Sequence, residues 1–147
     1  SVCVDLELGT FPIRANYLEI GSRRPLGAGA GSLALLAWMR DAEIEAAFPA
    51  ILQKLERYPG IDRPVLERHI EDSRRRGYAL MVDLVVDRMG GIAVPILGSD
   101  QRPVAAISIA ALTERILSRE TELAGALLRE AQACSSSAGG ILREARG

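Results

Sequence analysis

The sequence predicts an α+β domain, a mainly antiparallel sheet with helices packed on it, and three observations carry that expectation. Residues 78–86, 91–97 and 104–110 are apolar, strand-like runs bounded by turn residues. Between residues 33 and 76 apolar residues recur at helical spacing, and a last helical stripe closes the chain at residues 118–134. With two further strands at the start, the order is two strands, about three helices, three strands and a closing helix. The 147 residues, 48% of them apolar, suit one compact core, and residues 1–147 read as a single domain without internal repeats.

The elements follow in order. Val2, Val4 and Leu6 alternate with polar neighbours, as in a half-buried strand, Gly9-Thr10 supplies a turn, and residues 13–20 are expected to return as a hairpin. A small-residue loop, Gly27 to Ser32, leads into Leu33, Ala34, Leu35, Leu36 and Ala37, a helix apolar on nearly every side and therefore central. Asp41 is the expected N-cap of the next helix, which turns Ile44, Ala47 and Phe48 inward. Pro49 is expected to break or kink it before Ile51, Leu52 and Leu55. In the third helix Pro64 occupies the first turn, Leu66, Ile70 and Ser73 share a side, and Gly77 stands where a left-handed cap is wanted. Arg74, Arg75 and Arg76 fall in its last turn, where positive charge suits the helix dipole. Residues 98–103 read as a hairpin turn, and residues 135–140 as a frayed end.

Composition excludes several functions. Eighteen basic against nineteen acidic residues give a formal charge of −1, so no overall positive field holds the chain on nucleic acid or anionic lipid. No apolar run is long enough to span a bilayer and no signal peptide is evident, which predicts a cytoplasmic protein without a membrane partner. Cys3 and Cys134 form no metal-binding or disulfide pattern and read as small buried residues; His69 is the sole histidine. Neither a metal nor a cofactor is expected: Gly31-Ser32 lacks the Gly-Lys-Ser/Thr ending of a P-loop, and Arg-Arg-Pro stands where a dinucleotide fingerprint needs a strand. An enzyme is not expected either, because Ser108 has no evident base and His69 sits on a helix between Arg68 and Ile70. A helix-turn-helix built from residues 41–76 would present Glu67, Glu71 and Asp72 to phosphates.

Alternation sorts the last strands into faces. Gly91, Ala93 and Pro95 share one face of their strand, and Val104, Ala106, Ser108 and Ala110 share one face of the next. If these faces coincide, they make a shallow floor with one hydroxyl, to which the preceding strand adds Met81, Asp83 and Val85. The same pattern also lets a helix approach the sheet closely, with no ligand involved. Exposed backbone amides of the Gly27 to Ser32 loop, at the start of a helix and without side chains in the way, suit a carboxylate or other anion; flexible packing of the loop is the alternative reading.

Several ordered motifs resemble one family. Gly21-Ser22-Arg23-Arg24-Pro25-Leu26, the small residues through Gly31 and Ala34-Leu35-Leu36-Ala37 are similar to the approach, turn and helix of IclR-type regulators. Arg74-Arg75-Arg76-Gly77-Tyr78, Ile92-Ala93-Val94-Pro95-Ile96 and Val104-Ala105-Ala106-Ile107-Ser108-Ile109 resemble its later motifs in the same order. The resemblance implies a GAF-like, profilin-like effector-binding domain that forms a homodimer or homotetramer and contacts DNA only through an N-terminal winged helix. That winged helix, and the effector domain's own first helix and strand, are expected to be missing from residues 1–147.

The resemblance also implies a binding site, with departures. The family's loop amides map to Ala30 and Gly31, beside Gly29, and its first serine to Ser108; its acidic residue becomes Met81, its cysteine Gly91 and its second serine Ala110. Each lost neutral hydrogen bond forfeits about 0.5–1.5 kcal/mol, so a very small 2-oxo acid is held less well. Gly91 and Ala110 are expected to enlarge the floor and Met81 to make it adaptable, which fits a larger aromatic or aliphatic acid. Asp83, if it faces the pocket, binds a hydroxyl or amine; otherwise it is a solvated strand residue. The competing reading is a module for oligomerisation alone, with a degenerate pocket.

Overall fold

The computed structural model describes residues 1–11 and 18–144. Its centre is a three-stranded antiparallel sheet in the order β1 (Ala79–Val82), β2 (Met89–Leu97), β3 (Pro103–Leu112). Helices α1 (Ala30–Ala37), α2 (Asp41–Leu55) and α3 (Arg63–Arg76) lie on one side of the sheet. The short α4 (Thr113–Ser118) and the long α5 (Glu120–Glu144) lie on the other.

The alternation of β2 and β3 divides the core in two. Ala79, Met81 and Ala93 pack with the first three helices, while Ile92 and Val94 pack with Ile116, Ala124, Leu127 and Ala131. The α+β class with flanking helices is therefore the observed one. As its composition demands, α1 is central: Leu33, Ala34, Leu36 and Ala37 are each 0% exposed, between the sheet and α3.

The start of α3 matches expectation, with Asp62 accepting a 2.9 Å hydrogen bond from the Val65 N–H and Pro64 in the first turn. Gly77 closes the helix with φ 87°. Arg74 does more than complement its own helix. It donates from Nε to the Ala37 carbonyl at 2.6 Å and from Nη2 to the Met39 carbonyl at 2.8 Å, and pairs with Asp41 at 2.7 Å. The last carbonyls of a helix have no acceptor role inside it, so one guanidinium ties the end of α1 to the start of α2.

Several expectations are corrected. Residues 1–11 contain no strand; among the described residues Val2 makes a single antiparallel bridge, to Arg23, and Val4 is 76% exposed, so alternation there meets no described partner that would bury it. Of the expected second strand, residues 13–20, residues 13–17 lie outside the described residues and residues 18–20 form no strand. The N-cap of α2 is Arg40, not Asp41, and its N–H is satisfied by Glu43 at 3.2 Å.

Helix α2 also runs through Pro49 unbroken. Proline in a helix costs about 3 kcal/mol, whereas each fully buried large apolar side chain contributes about 1.5–3 kcal/mol. Ile44 and Phe48 anchor one side of the proline and Ile51 and Leu55 the other, so burial wins.

Further along, β1 stops at Val82 because Asp83 takes φ 59°. The final helix is split, with Arg119 interrupting it, and then continues through residues 135–140, expected to fray, to Glu144. Small residues lower helix propensity by no more than about 1 kcal/mol each, too little to stop a helix already four turns long. Neither cysteine is fully buried: Cys3 is half-buried and Cys134 exposed.

Candidate functional site

The register of the sheet decides whether the small faces coincide. Gly91 pairs with Ala110, Ala93 with Ser108 and Pro95 with Ala106, while Met81 pairs with Gly91 across β1. Directly paired residues point to the same side of a sheet, so these side chains form one floor. Ser108 and Ala110 are exposed although they belong to the sheet, because the floor opens into a cavity of about 450 Å³.

The amino end of α1 forms the opposite wall. Gly29 has φ 102° and ψ 159°, a conformation that glycine adopts without a steric penalty, and this turns the chain into the helix. The first internal bond of α1 is Leu33 N–H to Gly29 O at 2.9 Å, so the amides of Ala30 and Gly31 precede the helical ladder. No acidic side chain occupies the first turn to offset their positive potential. Ser108 stands beside them: a methyl added at Gly31 would be 3.4 Å from its Oγ.

The cavity thus brings together Gly29, Ala30, Gly31, Met81, Gly91, Ser108 and Ala110, with Leu35, Val85 and Met89 adding apolar wall. Asp83 is the exception. Its positive φ takes it out of strand alternation, it does not line the cavity, and its Oδ1 accepts a 2.7 Å hydrogen bond from Thr113 Oγ1. The reading of Gly91 also changes. A methyl there would come 3.0 Å from the Cβ of Ala30, so the missing side chain makes room for α1 as well as lining the floor.

Sequence reasoning missed two charged residues of the lining, Arg24 and Asp5. Both reach the cavity on the segment pairing residues 1–3 with residues 21–24, through bonds such as Cys3 N–H to Ser22 O at 2.9 Å. In the sequence Arg24 stands out only within a motif; its place five residues before Gly29, on the way into α1, is the available signal. His69 lies away from the cavity on α3, half-buried, and desolvation holds its pKa below the usual value. The lining contains no histidine.

Residues 12–136 match the family described as "Bacterial transcriptional regulator IclR C-terminal". The chain belongs to the IclR family. Among curated IclR relatives, the HTH-type transcriptional regulator XynR of Escherichia coli (strain K12) is 30% identical over 109 residues, which cover 68% of this chain and 40% of that protein. The HTH-type transcriptional repressor AllR of Klebsiella pneumoniae is 30% identical over 127 residues, 86% of this chain and 47% of that protein. The chain therefore spans less than half the length of these two regulators. The crystal structure of the Thermotoga maritima IclR shares the fold, with a TM-score of 0.76 at 23% identity over 89% of this chain and 53% of that one. These relatives are named as regulators of transcription, not as enzymes, and the IclR C-terminal domain is the part they have in common with this chain.

Proposed function

We propose that this domain senses a small organic acid and, as a homodimer or homotetramer, conveys its binding to a DNA-binding winged helix elsewhere in the full-length regulator. The observation carrying this is the convergence, on one cavity, of the α1 amides, Ser108 and the small-residue face of β2 and β3. The carboxylate lies at the Ala30 and Gly31 amides. Its body rests against Met81, Leu35 and Val85, over Ala110. No helix among the described residues is long and apolar enough to cross a membrane.

A volume of about 450 Å³ falls within the range of about 300–1,000 Å³ usual for small-molecule sites. It favours an aliphatic or aromatic acid over a two- or three-carbon 2-oxo acid, which would leave most of the space unfilled. Asp83 is turned to Thr113, so its carboxylate does not repel that acid from within the site.

Thermal unfolding with a panel of aliphatic, aromatic and 2-oxo acids tests the reading. A ligand at a hundredfold over its Kd adds about 2.7 kcal/mol, and each kcal/mol raises Tm by about 2–4 °C at this size. A rise of that order with a bulky acid supports the proposal. Silence across the panel leaves an oligomerisation module, and response to glyoxylate-sized acids alone removes the preference for a larger effector.

A further inference from the structure

The cavity lining carries two charged side chains, and their arrangement is unequal. Asp5 is exposed, and its Oδ1 accepts a 2.8 Å hydrogen bond from the Leu6 N–H. Arg24 is partly buried, its backbone is fixed by a 3.0 Å bond from its N–H to Ser1 O, and its guanidinium forms no ion pair with any described carboxylate. That guanidinium lies against Gly29: a methyl on Gly29 would stand 3.4 Å from Nη1. A permanent cation therefore stands in a largely apolar cavity beside the positive end of α1, whose first turn contains no acid. Two like potentials side by side are unfavourable, and an anion between them removes the repulsion and gains from both.

We infer that Arg24 is the counter-ion of the effector, taking one edge of its carboxylate while the Ala30 and Gly31 amides take the other. A guanidinium presents parallel N–H donors that match a planar carboxylate, which lysine does not reproduce. The consequence is a specificity rule: the site selects the ionised acid against its neutral amide of the same shape. This rests on the sensor reading above and names the residue that sets its ligand class.

The test uses the full chain and compares hexanoate and phenylacetate with hexanamide and phenylacetamide by titration calorimetry. The wild type is expected to prefer the acids by about tenfold or more, and Arg24→Leu to lose about 10- to 100-fold in acid affinity while amide affinity stays within about twofold. Arg24→Lys recovers part of the loss. Without acid and at low salt, Arg24→Leu unfolds at the wild-type temperature or higher, because a repulsive charge has gone. Equal acid affinity in Arg24→Leu, or a wild type that binds amides as well as acids, overturns the role of Arg24 and leaves the sensor reading standing. So does a lowered Tm of the ligand-free variant, since Arg24 then has a structural task. If the wild type binds none of the four, the preference for a larger acid fails and the role of Arg24 fails with it, while the panel of acids above decides separately whether the domain senses any acid.

Discussion

Ala30 and Gly91 are in such close apposition that a methyl group added at Gly91 would lie 3.0 Å from the Ala30 Cβ. The amino end of α1 is thus held against the middle of β2 by the absence of one side chain. Overpacking of this kind costs about 1–3 kcal/mol, because helix backbone cannot yield as a flexible side chain does. Gly91→Ala is expected to lower stability by that amount in urea denaturation and to weaken acid binding, since the Ala30 amide moves with its helix. Gly91→Leu is expected to leave little folded protein. An alanine variant with unchanged stability and affinity would show that α1 slides freely over the sheet.

Pro49 supplies the opposite case, a native residue that works against its own helix. It is exposed within the continuous helix Asp41–Leu55, so its ring contributes nothing to the core while its missing N–H removes one rung of the ladder. Pro49→Ala is expected to stabilise the domain by about 1–3 kcal/mol, read as a higher urea midpoint with the same slope. A loss of stability would mean that the proline shapes a bend that the packing of Phe48 or Ile51 requires.

His69 gives the fold a pH dependence with a definite sign. Desolvation is the largest influence on it and lowers its pKa from 6.5; Asp72 and the Leu80 backbone act upward, and Arg76 and Arg68 downward. The folded chain thus binds this proton less readily than the unfolded chain, so unfolding takes up protons just below pH 6.5. The stability owed to a neutral His69 is complete above that pH and is lost as pH falls toward the lowered folded pKa. Because it is the chain's sole histidine, its ring proton resonances titrate without overlap. Their midpoint is expected below 6.5, and His69→Gln is expected to flatten the slope of stability against pH there. A midpoint above that value would reverse the sign.

Periodicity was enough where an element's surroundings repeat along it. Alternation in β2 and β3 assigned Gly91, Ala93, Ser108 and Ala110 to one side, and the observed register pairs them as that assignment requires. Helical spacing likewise placed Leu66, Ile70 and Ser73 in the core, and Gly77 marked the end of its helix. The same alternation misled at Val2, Val4 and Leu6, because a strand needs neighbouring backbone and residues 1–11 find only one bridge among the described residues.

Local pattern fixed the class of the fold, the faces of its strands and the small-residue approach to α1, since each depends on residues a few places apart in the chain. Only folding in three dimensions decided that Arg24 stands by Gly29, that Asp83 leaves the pocket for Thr113, and that Gly91 makes room for Ala30. The reason is distance along the chain: Asp83 and Thr113 are thirty residues apart, and Ala30 and Gly91 are further still. Contacts between such positions are set by how whole elements pack, and no periodicity within either element encodes them.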